Sequence, residues 1–182
     1  MSIKLADFSI DNSTPQVTNI RTLAPANLGF YETHGFSVDD KKLIFSGYER
    51  GGYFYDMDIY TLDLSTGTVE QLTDNDEWDE HAHYSSDGSR IIWSSSTAIP
   101  QKKSTSHVGV LRGPPRLDLW IMNADGSGKR RLTFTNESRS SEGLSSSVGN
   151  GFGDGSWSPD DESYMVKLRA GCGTEKTVLL EL

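Results

Sequence analysis

The chain has 182 residues, a net charge of −9, 35% hydrophobic residues and 10% aromatic ones. That length suffices for one domain with a real core, and the excess of carboxylates would repel nucleic-acid phosphate, so no nucleic-acid partner is expected. No stretch reaches the apolar length of a membrane span, so no membrane insertion is expected, and the lone Cys172 makes neither an internal disulfide nor a cysteine zinc cluster.

Taken in chain order, residues 1–7 lack the apolar core of a signal peptide. Residues 3–10 and 17–23 read as two strands. Then comes a unit that recurs. Its first part is Phe36-Ser-Val-Asp39-Asp-Lys-Lys-Leu-Ile-Phe-Ser, an aromatic residue, a tight turn and a strand. Its second part is Asp58-Ile-Tyr-Thr-Leu-Asp-Leu-Ser-Thr-Gly67, a strand and a second turn, followed by Gln71-Leu-Thr73. The second copy starts at Tyr84-Ser-Ser-Asp87-Gly88, where Gly tolerates positive φ. It runs through Arg90-Ile-Ile-Trp-Ser, rich in β-branched and aromatic residues. Asp118-Leu-Trp-Ile-Met-Asn-Ala-Asp125-Gly126 and Arg131-Leu-Thr133 complete it. A third copy starts at Trp157-Ser-Pro-Asp160-Asp and ends on a strand at residues 176–182. The aromatic residues stand 48 and then 73 residues apart. The extra length of the second interval lies in residues 96–116 and 136–153. Each unit makes four antiparallel strands, a to d, and a repeated four-stranded meander is a propeller blade. Phe36, Tyr84 and Trp157 are expected at equivalent positions between sheets.

The phrases Trp120-Ile-Met-Asn-Ala-Asp-Gly-Ser, Arg131-Leu-Thr and Trp157-Ser-Pro-Asp resemble the WD-like repeats of bacterial TolB-type β-propellers. The resemblance covers residues 32–182. Val38 stands where that family often has Pro, and Asp161 where Gly is usual; both are tolerable turn variants. The expected fold is all-β, a propeller segment of four-stranded antiparallel blades. Residues 1–31 form a partial blade (strands c and d), 32–78 a blade, 79–153 a blade with long loops, and 154–182 a partial blade (a to c). Joining the two partial blades would close a ring of only three, against about four to eight in known propellers. An open arc is therefore expected, with edges that seek a protein partner or another copy of the chain. The resemblance implies a periplasmic or secreted protein if the chain belongs to a longer precursor, and the missing signal peptide a cytoplasmic one if it is complete.

In such a meander the a–b and c–d connections share one end, and here all of these are tight turns. The long connections, residues 47–55, 74–80, 96–116 and 136–153, share the other end, where function concentrates. The densest chemistry there is Asp74-Asn-Asp76-Glu77-Trp78-Asp79-Glu80-His81-Ala82-His83. An i, i+2 pair of histidines on a strand faces one side, and imidazole with carboxylate can hold a divalent metal. His81, His83 and Asp76 are thus a candidate metal set, and Asp79, His81 and His83 candidate ligand contacts. His81 aligns with Thr33 and Asp154 at the mouth of the central channel. The same residues also read as a solvated acidic loop with structural histidines, and the loop lacks the glycine and closing Glu of a calcium-binding signature. Lys102, Lys103 and Arg112, in a loop with His107 and Arg116, form a basic patch suited to an anionic ligand. The run Gly149-x-Gly151-x-Gly153-x-Gly155 has no strand–turn–helix context and is not a nucleotide fingerprint. No motif places a catalytic set. The expected role is therefore a non-enzymatic scaffold that binds protein or ligand through its long-loop face. Alternatives are a metal-dependent hydrolase or lyase of carbohydrate or peptide, and the accessory propeller of a larger peptidase.

Overall fold

A computed structural model describes residues 2–25, 27–100, 115–137, 149–171 and 173–182. They form thirteen strands and, among the described residues, no helix. A hairpin of β1 (Ile3–Asp11) and β2 (Thr14–Leu23) opens the chain. The first four-stranded sheet is β3 (Leu28–Phe36), β4 (Lys42–Glu49), β5 (Asp58–Asp63) and β6 (Val69–Gln71). The second is β7 (Asp79–Tyr84), β8 (Arg90–Ser95), β9 (Asp118–Asn123) and β10 (Arg130–Arg131). A three-stranded sheet follows: β11 (Asn150–Trp157), β12 (Ser163–Ala170) and β13 (Thr174–Glu181). Neighbouring strands in every sheet are consecutive in the chain and antiparallel.

Two local devices build the repeat. In the first, the Ser of each Ser-x-Asp turn donates its hydroxyl to the Asp two residues on: Ser37 to Asp39 (2.7 Å), Ser85 to Asp87 (2.6 Å) and Ser158 to Asp160 (2.6 Å). The same hydroxyl accepts the N–H of Lys42, Arg90 or Ser163, where the next strand begins. The residue after each Asp is left-handed, with φ of +57° at Asp40, +73° at Gly88 and +60° at Asp161. Asp and Gly are among the residues that tolerate this region. In the second device a buried Asp opens strand c. The Thr73 hydroxyl donates to Asp58 (3.0 Å) and accepts the Ile59 N–H (2.8 Å). Thr133 does the same with Asp118 (3.1 Å) and Leu119 (2.9 Å). The repeated Leu-Thr is thus a clasp that ties strand d to strand c.

The period of two along each strand splits its side chains between two seams. Ile91, Trp93 and Met122 of the second sheet pack with Ile44 and Ile59 of the first. Ile92, Leu119 and Ile121 turn the other way, onto Phe152, Tyr164, Val166 and Leu168 of the third. Ile3 and Leu23, at the base of the hairpin, cover part of the far face of the first sheet beside Leu43, Phe45 and Tyr60. A fourth cluster, Met57, Trp78 and Leu117 with Phe30, Tyr48, Phe54 and Tyr55, lies beneath the long connections. No apolar cluster among the described residues joins the third sheet to the hairpin. The sheets form an open arc.

Several expectations need correction. Phe36 is 48% exposed, while Tyr84 and Trp157 pack in the seams. Only a hairpin precedes the first sheet, so nothing covers Phe36 as its counterparts are covered. Gly47, Tyr48 and Glu49 belong to β4, and Asn150, Gly151, Phe152 and Gly153 to β11, not to loops. The glycine run lies at the start of the innermost strand of the third sheet, where it keeps backbone close to backbone. A Cβ at Gly151 would stand 2.9 Å from the Pro115 carbonyl oxygen.

Candidate functional site

The innermost strand of each sheet carries a bulge: between Thr33 and Gly35, between Glu80 and His83, and between Phe152 and Gly155. A bulge adds a residue to one strand and re-aims side chains. In β7 the distortion puts His81 at φ +55°. Its ring then bridges three sheets. His81 lies 5.8 Å from the His34 ring of the first sheet, and its Nδ1 is 3.0 Å from Asp154 Oδ1 of the third. His83 also packs on His34, at 6.1 Å between ring centres. The two histidines of the His-x-His pair therefore share His34 as a neighbour, through a bulged rather than a regular strand. Sequence does not single out His34, because the residue aligned with His81 is Thr33. Its only signal is that it stands two residues before Phe36 on a channel strand.

These groups lose part of their hydration and repel one another. Burial, followed by the neighbouring His81 and His83, pushes the His34 imidazole down to about 3. Its Nε2 lies 2.6 Å from the hydroxyl of Ser46. Ser46 is fully buried, so this Ser–His pair is out of reach of a substrate. Burial also lowers His83, whose Nε2 has no hydrogen-bond partner. The Glu80 carboxyl is raised, chiefly by burial, with His81 acting in the opposite direction. Glu80 accepts the Trp78 indole N–H at 2.8 Å and lies 3.4 Å from His81 Nε2.

A cavity of about 300 Å³ opens beside this cluster. Glu80 and His81, the glycine strand at Gly151 and Gly153, and Asp154, Lys167, Arg169 and Glu175 are among its lining residues. Asp79 does not reach it. That carboxyl is 0% exposed and accepts the Trp93 indole N–H (3.0 Å) and the Asn75 amide (2.8 Å), so it ties β7 to its surroundings rather than to a ligand. The candidate metal set is not assembled either. Among the described residues no three His, Cys, Asp or Glu side chains are placed to hold a metal ion. His34 and His81 already direct ring nitrogens at Ser46 and at Asp154 and Glu80. Asp76 is exposed in the preceding loop. Lys102, Lys103, His107 and Arg112 lie outside the described residues, as does Cys172.

No family model matches the chain. Its structure is similar to that of TolB from Agrobacterium tumefaciens, at 19% identity and a TM-score of 0.64, over 98% of this chain and 57% of that one. TolB from Acinetobacter baumannii matches at 20% identity and a TM-score of 0.60, over 98% of this chain and 38% of that one. The fold is that of a TolB-type β-propeller. An oligogalacturonate lyase in complex with manganese shares the propeller architecture at 16% identity and a TM-score of 0.55, over 90% of this chain and 42% of that one. The chain thus spans little more than half the length of the first TolB and less of the other two proteins. No helix among the described residues is long and apolar enough to cross a membrane.

Proposed function

We propose that this propeller segment is a non-enzymatic binding scaffold, which holds a ligand or a partner protein at the inner-strand rim of its long-loop end. One observation carries the reading: the bulged inner strands of three successive sheets bring His34, His81, His83, Glu80 and Asp154 together beside a cavity of about 300 Å³. That volume is at the lower end for a small-molecule site. The polar groups come from distant parts of the chain, as in a site built on a rigid scaffold. The buried Ser46 speaks against nucleophilic chemistry by its pair with His34. A periplasmic location, as the TolB resemblance implies, belongs to the same proposal.

A thermal-shift screen of small peptides, sugars and organic acids tests it, since a ligand of the folded state raises its melting temperature. Binders are expected whose stabilisation disappears in a His81→Ala, Asp154→Ala double variant and survives in Ser65→Ala, at the short-turn end. The reading is rejected if no compound stabilises the protein, or if every stabilisation ignores the double replacement.

A further inference from the structure

We infer that the cavity beside His81 is a carboxylate-binding subsite centred on Arg169; this deepens the scaffold reading and rests on it. Its walls come from both sides of β11. Gly151 and Gly153 present no side chains there, and a Cβ at Gly153 would meet nothing nearer than the Lys167 carbonyl oxygen at 3.9 Å. The bare strand lets the rim residues Glu80 and His81 share one cavity with the outward face of β12 and β13.

The contacts made by the ionisable groups in this cavity are unevenly shared. Each carboxylate has a partner: Asp154 has His81 (3.0 Å), Glu80 has the Trp78 indole (2.8 Å), and Glu175 has Lys167 (2.9 Å). Arg169 stands directly across the ladder from Glu175. Yet Glu175 turns diagonally to Lys167, so the Arg169 guanidinium makes no ion pair or hydrogen bond among the described residues. The group left over is a cation in a protein of net charge −9. A guanidinium presents a planar fork that matches a carboxylate in a two-point contact. The adjacent Lys167 ammonium can share the same anion. The ligand is therefore a carboxylate carried by a small molecule or by the end of a peptide.

Calorimetric titration near neutral pH and low salt tests this with three probes: acetyl-Ala-Ala with a free carboxylate, its C-terminal amide, and succinate. Saturable binding of the peptide acid and none of the amide is expected. Succinate binding as well as the peptide acid would mark the ligand as a free organic acid; a tighter peptide acid would mark it as a chain terminus. Arg169→Gln should weaken binding by about tenfold or more, as loss of a charged hydrogen bond does. Arg169→Lys should retain part of the affinity, and Lys41→Gln, an equal charge change far from the cavity, all of it. Arg169 is exposed on its strand, so the variants should melt like the parent protein. No saturation by about 10 mM of either acid, equal binding of the amide, or indifference to Arg169→Gln would overturn the inference. A screen binder that depends on His81 and Asp154 would survive that result, so failure here leaves the scaffold reading standing.

Discussion

Asp58 and Asp118 do the same job in successive blades, and one neighbour sets them apart. Asp118 receives Arg131 Nη2 at 2.6 Å; Asp58 receives only the Gln71 side-chain amide, at 2.9 Å, in that neighbour's place. Burial without a cation pushes the Asp58 carboxyl up to about 7. An unfolded Asp titrates near 3.9. The folded value is the higher one, so the contribution of Asp58 to stability is complete below about pH 4 and is lost as pH rises through about 7. Gln71→Arg should supply the missing cation. Urea unfolding is expected to show a gain of about 1 kcal/mol near pH 8 and a smaller one near pH 5. Equal gains at both values would refute this account of Asp58. Thr133→Val should cost about 1–3 kcal/mol, because it strips one donor from a buried carboxylate and one acceptor from the Leu119 N–H.

At the scale of the element, the a–b turn serves two purposes in the third sheet and one in the first. Asp40 and Asp161 have nearly the same left-handed φ. Asp161 also reaches across to the second sheet, where its carboxylate accepts the N–H groups of Ser86 (2.6 Å) and Asp87 (2.9 Å). Arg90 reinforces this contact from the other side, donating to the Asp161 carbonyl and lying over the Trp157 ring. The Asp in place of the usual Gly is thus a link between blades. Asp161→Gly should destabilise by about 1–3 kcal/mol despite the relaxed φ, because two charge-assisted bonds are lost. Asp40→Gly should be neutral or stabilise by a few tenths of a kcal/mol, since only the backbone preference changes. Matched thermal melts decide the point; a destabilising Asp40→Gly together with a neutral Asp161→Gly would reverse these two roles.

The molecule as a whole has two unfinished features, its acid sensitivity at the rim and its open ends. His34 and His83 both have imidazoles held below their ordinary value. The unfolded chain then binds protons that the folded one refuses, so their contribution is full above about 6.5 and falls as pH drops below it. The facing Glu80 and Asp154 temper this charge without removing it. Between about pH 7 and about pH 5 these imidazoles lower the melting temperature while Asp58 raises it, so the expected signal is relative: over that interval His34→Gln, which can still bond Ser46, should gain melting temperature on the parent. An identical slope in the variant would place the acid sensitivity elsewhere. At the open ends, Phe8 is 66% exposed and Ile20 67% on the hairpin, and Leu179 is 64% exposed beside Met165 on the third sheet. Large apolar side chains exposed at such sheet edges are suited to association. Light scattering is expected to show association that weakens in an Ile20→Lys, Leu179→Lys double variant. A monomer with a sharp melt at all concentrations would show that these faces have no partner among copies of the chain.

Residue order alone suffices for whatever is made within a turn or between neighbouring strands. The Ser-x-Asp turns close over two to five residues, and the Asp–Leu-Thr clasp joins adjacent strands, so their chemistry is written in short, repeated words. Their repetition is enough to identify blades, and in β12 polar residues alternate with apolar ones as burial does, whereas β8 and β9 are buried on both faces and show no such alternation. The site is only half legible in the same way. His81 is visible as part of a pair, but its bulge is not, since a bulge depends on the register between strands. Asp79 reads as a rim carboxylate because it borders acidic neighbours; only packing shows it buried beneath Trp93 and Asn75. His34 and Asp154 meet His81 from sheets far apart in the chain, 73 residues apart in the case of Asp154. Arg169 is distinguished only by the diagonal turn of Glu175 away from it. Folding settles these points because the angle and spacing between stacked sheets bring the groups together, and no short stretch of sequence carries that information.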